Sequence, residues 1–155
     1  MHFTDDSLFA PDAQVPLFYN GTIHKTLTHC MLYARFMGVN DRYAEIIQKT
    51  EAVFFARKKA ALRCARPQRE NWRSEEREVL MCALESKVEM NADLQEQLLS
   101  TGDEMIVYVS DDPNMRALAV NSRDGTGDNM LGRLLVDLRT KIRERERRRK
   151  ETALC

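Results

Sequence analysis

The chain has no Cys-x-x-Cys pair. Its four cysteines, Cys30, Cys64, Cys82 and Cys155, stand far apart over 155 residues. That spacing argues against a structural zinc site and suits reduced thiols inside a cell. No metal and no cofactor are expected. There is no charge excess either. With 24 basic and 24 acidic side chains the formal net charge is zero, so no global field selects an anionic partner. No uncharged apolar run approaches membrane-spanning length, and no basic stretch followed by an apolar one opens the chain. An intracellular, cytoplasmic protein with no membrane partner is the expectation. No internal repeat is visible. A P-loop lysine and a complete dinucleotide fingerprint are both missing.

What the chain does have is one organising stretch, Gly125–Arg139. It begins as a loop and ends as a helix. Gly125 and Gly127 allow tight turns or close approach to a ligand. Asp128 or Asn129 is placed to cap the helix that follows. Met130, Leu134 and Leu138 repeat at i, i+4 and i+8, with Leu131 and Leu135 beside them, which gives a wide apolar stripe. A glycine-rich loop entering a buried helix can seat a phosphate. The alternative is an ordinary turn and a core helix.

The remaining pattern predicts a mixed α+β domain, mostly helical, with a small sheet. Asn20-Gly21 between two short apolar runs predicts a hairpin. Helices are predicted over 26–37, 41–49, 51–65, 74–90, 92–100 and 129–149, with Ser74 as an N-terminal cap. Met105–Val109, five apolar residues in a row, predicts a strand buried on both faces. Arg57, Lys58, Lys59, Arg63 and Arg66, with Arg69 beyond, could face a phosphate or RNA, or simply water. His29 could serve as a ligand or a base, or as a hydrogen-bonded structural residue. Residues 139–151 carry eight basic and three acidic side chains, a net of +5, so the rest of the chain sums to −5. The division expected is a domain over 1–142 and a basic helical tail over 143–155. A protein or RNA partner at Arg139–Lys150 is one expectation for that segment, and a frayed tail is the other.

Several stretches in order resemble the NADAR family, also called YbiA-like, an α+β fold of N-glycosidases linked to NAD-derived and ADP-ribose chemistry. They are Pro16, Asn20-Gly21 and Thr26-Leu27-Thr28-His29 through Arg35-Phe36; Asn71-Trp72 with Met81, Ala83-Leu84 and Lys87; Asn91, Leu94, Leu98-Leu99 and Thr101-Gly102; Val107–Asp112; and Gly127-Asp128-Asn129-Met130-Leu131-Gly132 with Leu135 and Arg139. The resemblance implies a single compact domain. It also implies a pocket holding Thr28, His29, Arg35, Trp72, Asn121, Gly127 and Asn129, with Thr28, Arg35, Trp72 and the 121–129 loop on one cleft.

Departures fall where the chemistry should be. The family carries a Glu immediately before the helix-one His, and here Thr28 stands there. Seven residues later it carries a Lys, replaced here by Arg35. A Trp-Gly segment should precede the Gly-x-Asn block, but no Trp occurs in 110–127, and Asn121 is the nearest candidate for its acidic residue. Breaking an N-glycosidic bond develops positive charge at the sugar, which a carboxylate stabilises or relieves by activating water. Threonine does neither. Arginine stays protonated and cannot act as a nucleophilic amine, though it grips phosphate in a bidentate fork. Asp111, Asp112 or Asp124 could supply the acid if the loop runs differently. The resemblance therefore implies a catalytically degenerate domain that binds a nucleotide or ADP-ribose-type ligand, or that serves a larger assembly. The alternative is an active N-glycosidase acting on an ADP-ribosyl or phosphoribosyl-type substrate.

Overall fold

Six α-helices, one short 3-10 helix and four short strands are joined by loops and turns in residues 1–154, those described in the computed structural model. The architecture is α+β and mostly helical, as the sequence predicts. The chain forms two compact units, one of Pro11–Met90 and the other joining Met1–Ala10 to the stretch from Asn91 onward.

In the 11–90 unit, β2 (Leu17–Tyr19) and β3 (Thr22–His24) pair antiparallel, with Leu17 opposite His24. Asn20 and Gly21 join them at φ of 51° and 78°, the doubly positive turn that matches strand twist. Neither outer edge lies bare. The Ser86 hydroxyl donates to the Phe18 carbonyl at 2.6 Å, and Gln48 Nε2 donates to the Ile23 carbonyl at 3.2 Å. Thr26 caps α1 (Leu27–Ala34) by accepting from the His29 N–H, and Asn40 caps α2 (Asp41–Lys49) by accepting from the Tyr43 N–H.

α3 spans only Val53–Ala60, not 51–65. Ala52 offers no capping side chain. Beyond Ala60, Gln68 Nε2 donates to the carbonyls of Ala60 and Ala65, and the chain folds back to bury Ala65. Small side chains set the packing here: Ala44, Ala56, Ala60 and Ala65 close around Leu32, Phe36 and Ile47. α4 (Trp72–Glu89) starts earlier than predicted. Ser74 lies inside its first turn and donates to the Asn71 carbonyl at 2.8 Å, so it is not the cap.

In the other unit, β1 (His2–Phe3) pairs in parallel with β4 (Val107–Tyr108), and the Phe3 and Tyr108 rings stack at 5.0 Å. The apolar run 105–109 is not buried on both faces. Ile106 and Tyr108 are buried, while Met105 is 74% exposed. A two-stranded ribbon has one covered face, so burial alternates with period two. β4 packs on α6 (Met130–Ala153), and so does α5 (Ala92–Ser100), capped by Asn91.

Asn129 precedes α6 but does not cap it with its side chain. Its amide instead accepts from Tyr108 N–H and donates to the Ile106 carbonyl, each at 3.0 Å. A side chain thus pairs with a strand as a neighbouring strand would. The helix must come close for this. A Cβ at Gly132 would sit 2.2 Å from the Ile106 carbonyl oxygen, and one at Gly127 would sit 2.2 Å from that of Ala119. α6 also runs farther than predicted, to Ala153. Its last buried residue is Ile142. No described helix is long and apolar enough to cross a membrane.

Candidate functional site

α1 positions three of the residues singled out from the sequence. Thr28 and Arg35 lie seven residues apart, close to two turns, so they share a side of the helix. His29 points elsewhere. It is fully buried, its Nδ1 lies 2.8 Å from the Thr26 hydroxyl, and its Nε2 lies 2.8 Å from the Thr50 carbonyl. Both ring nitrogens are occupied, and burial holds its pKa below the ordinary histidine value. This ring ties α1 to the end of α2.

Thr28 is buried and donates its hydroxyl to Asp12. Both Asp12 oxygens also accept from Arg57 of α3, Oδ2 from Nη1 and Oδ1 from Nη2, each at 2.8 Å. A carboxylate therefore stands beside Thr28, brought from sixteen residues upstream. It is clamped by a guanidinium fork, the strongest common arrangement for holding a carboxylate. Asp12 also borders an open hollow of about 520 Å³, lined too by Gln14, Lys25, Thr26, Glu51 and Val53. Glu51 pairs with Lys25 at 3.0 Å.

Arg35 ends α1 and lies over the indole of Trp72, the first residue of α4, with its guanidinium carbon 5.9 Å from the ring centre. Arg35 Nε and Trp72 Nε1 are both buried, and neither meets an acceptor among the described residues. Two adjacent orphan donors are unusual, because a buried N–H without a partner costs about 1–3 kcal/mol. Burial also lowers the Arg35 pKa, with Glu76 opposing. The group nonetheless stays a cation at any physiological pH.

Asn121, Gly127 and Asn129 belong to the other unit. Asn121 Oδ1 accepts from the N–H groups of Arg123 and Asp124 and shapes its own loop. That loop edges a cleft of about 170 Å³ with Asp111, Asp112, Arg116 and Asp124. Asp111 is held below the usual carboxylate range by the hydroxyl and N–H of Ser122, and Asp124 by those of Thr126. Gly127 and Asn129 serve close packing and strand anchoring.

Sequence reasoning missed Asp12, Arg57 and the full burial of Lys87. Asp12 sits in an irregular segment where no periodicity speaks. Arg57 looked like one member of a basic run. Lys87 follows Ala83-Leu84 on the core face of α4, a spacing that could have signalled burial. It is completely buried, and desolvation lowers its pKa to about 8. Among the described residues no group of His, Cys, Asp and Glu is placed to hold a metal ion.

The architecture is that of a known α+β class. An NMR structure of the Escherichia coli protein YbiA aligns with a TM-score of 0.80 and 26% identity, over 94% of this chain and 87% of that one. In sequence, the N-glycosidase YbiA of E. coli K12 is 28% identical over 134 residues, 86% of this chain and 80% of its own. An N-glycosidase of Nostoc punctiforme is 32% identical over 124 residues, 79% of this chain and 76% of its own. The NADAR domain matches residues 2–143, and the chain belongs to the NADAR family.

Proposed function

We propose that this NADAR domain has lost most of its catalytic power and binds a nucleotide or ADP-ribose-type ligand, by itself or as an interaction subunit of a larger assembly. The observation that carries the reading is the pair of orphan donors on Arg35 and Trp72. Both atoms are covered, so a phosphate or ribose oxygen would satisfy them once the Arg35–Trp72 contact opens, with the indole adding an apolar wall. Thr28 and Arg35 cannot replace a carboxylate and a nucleophilic amine. Asp12 has both oxygens engaged by Arg57. The test is calorimetric titration with ADP-ribose beside an assay for hydrolysis of ADP-ribosyl and phosphoribosyl N-glycosides. Binding without turnover is expected. Arg35→Met should weaken binding about tenfold or more, the loss of one charge-assisted contact. Rapid turnover would defeat the reading.

One observation favours the second reading, an active N-glycosidase. Asp12 is a carboxylate at Thr28 that faces an open hollow, and it could stabilise a developing sugar cation. In that case Asp12→Asn would abolish turnover while leaving ADP-ribose affinity nearly intact. The tail completes the first reading. Arg148, Arg149 and Lys150 extend beyond the core on an exposed helix, suited to an acidic protein surface or RNA backbone.

A further inference from the structure

Residues 52–69 contain six basic side chains and no acidic one. Three of the six are engaged internally: Arg57 with Asp12, Lys59 with the Thr50 hydroxyl, and Arg69 with Glu75. Lys58, Arg63 and Arg66 are exposed and form no ion pair among the described residues. Among these cations stand three large apolar side chains. Phe54 is 60% exposed, its neighbour Phe55 56%, and Leu62 51%. Two consecutive, largely exposed phenylalanines are not explained by the fold, since α3 packs through Ala56 and Ala60 instead.

We propose that this segment, with Phe54, Phe55 and Leu62 exposed and the cations Lys58, Arg63 and Arg66 interspersed along it, seats on an anionic membrane surface. The charge complementarity is local: the acid-free segment attracts anionic headgroups although the whole chain is neutral. The ring geometry chooses the apolar medium. Phe54 and Phe55 meet edge to face, with centroids 5.4 Å apart and planes at 73°, and the Lys58 ammonium covers Phe54 at 4.5 Å. Nucleic-acid bases stack on open ring faces. Here the Lys58 ammonium occupies one face of Phe54, and exposed rings beside a cation suit the headgroup boundary. No described helix can span the bilayer, so the contact is peripheral. It departs from the expectation of no membrane partner, which rested on the absence of a spanning run. The inference does not depend on the ligand reading above.

Sedimentation of the full chain with phosphatidylserine–phosphatidylcholine vesicles, and with phosphatidylcholine vesicles alone, tests it. Binding should require phosphatidylserine and fall as salt rises. Phe54→Ser with Phe55→Ser should weaken it about tenfold, as expected when two inserted rings are removed, with thermal unfolding unchanged. Lys58→Gln with Arg63→Gln and Arg66→Gln should remove the salt-dependent part. A chain that stays in the supernatant overturns the proposal. So does undiminished binding by the phenylalanine variant, which would assign the contact to the basic end of α6. Poly(U) binding lost in that variant, without vesicle binding, would assign the segment to nucleic acid instead.

Discussion

Asn129 and Lys87 are the residues whose tertiary roles depart farthest from their local pattern. The Asn129 amide makes two strand-like hydrogen bonds, and Gly132 lets the helix approach closely enough for them. Gly132→Ala should therefore destabilise by about 3 kcal/mol, since the added carbon meets backbone and the Asn129 amide. Asn129→Asp keeps the acceptor but sets a carboxylate against the Ile106 carbonyl, costing about 2 kcal/mol. Chemical denaturation checks both, and near-neutral effects would remove the strand-pairing role. Lys87 makes a pH prediction. Its folded pKa is about 8, against 10.5 for an ordinary lysine. Between those values an unfolded chain binds the proton and the folded one does not. Stability from this group therefore rises with pH across about 8–10.5, and below pH 8 its penalty is fully present. The stability of Lys87→Met relative to the parent should fall by about 3 kcal/mol over that window, whatever its sign at pH 7. A pH-independent difference would show that Lys87 keeps its ordinary pKa.

At the level of elements, α6 joins two roles in one helix. Its first half is core, with Leu131, Leu134, Leu135, Leu138 and Ile142 buried. Arg139, counted from sequence with the basic tail, is buried too and donates to the Thr101 hydroxyl at 2.7 Å and the Glu104 carbonyl at 2.9 Å. Arg143 reaches Asp103 at 2.9 Å and the Gly102 carbonyl. These two arginines hold the turn between α5 and β4, so they are not offered to a partner. Past them the helix carries pairs such as Arg147–Glu151, at 2.9 Å, each contributing a few tenths of a kcal/mol. Removing residues 146–155 should leave the thermal midpoint nearly unchanged and weaken any salt-dependent association with RNA or an acidic protein. Removing residues 141–155 also deletes Ile142 and Arg143, and should cost about 2–4 kcal/mol. Equal midpoints for the two truncations, in a melting series, would show that Ile142 and Arg143 add nothing.

For the whole molecule, family membership sets the question of activity, and the residues at α1 set the expected answer. Thr28→Glu with Arg35→Lys should give measurable hydrolysis of ADP-ribosyl N-glycosides if lost side chains are the main deficit. Parent turnover equal to or above that of the double variant would show that catalysis never depended on those two positions.

Local pattern was enough for elements whose signals lie within a few residues. Asn20-Gly21 specified a turn because few other residues adopt two positive φ values in succession. The helix starts expected near 26, 41 and 92 fall at the caps Thr26, Asn40 and Asn91, because capping acts over three residues. The apolar stripe of α6 and the order of the family blocks were legible for the same reason. What required the fold joins distant positions. Asp12 meets Thr28 and Arg57 across sixteen and forty-five residues. The orphan donors of Arg35 and Trp72 exist only because α1 and α4 pack together and exclude water. No spacing rule encodes such contacts, since burial and partnership are properties of the packed chain.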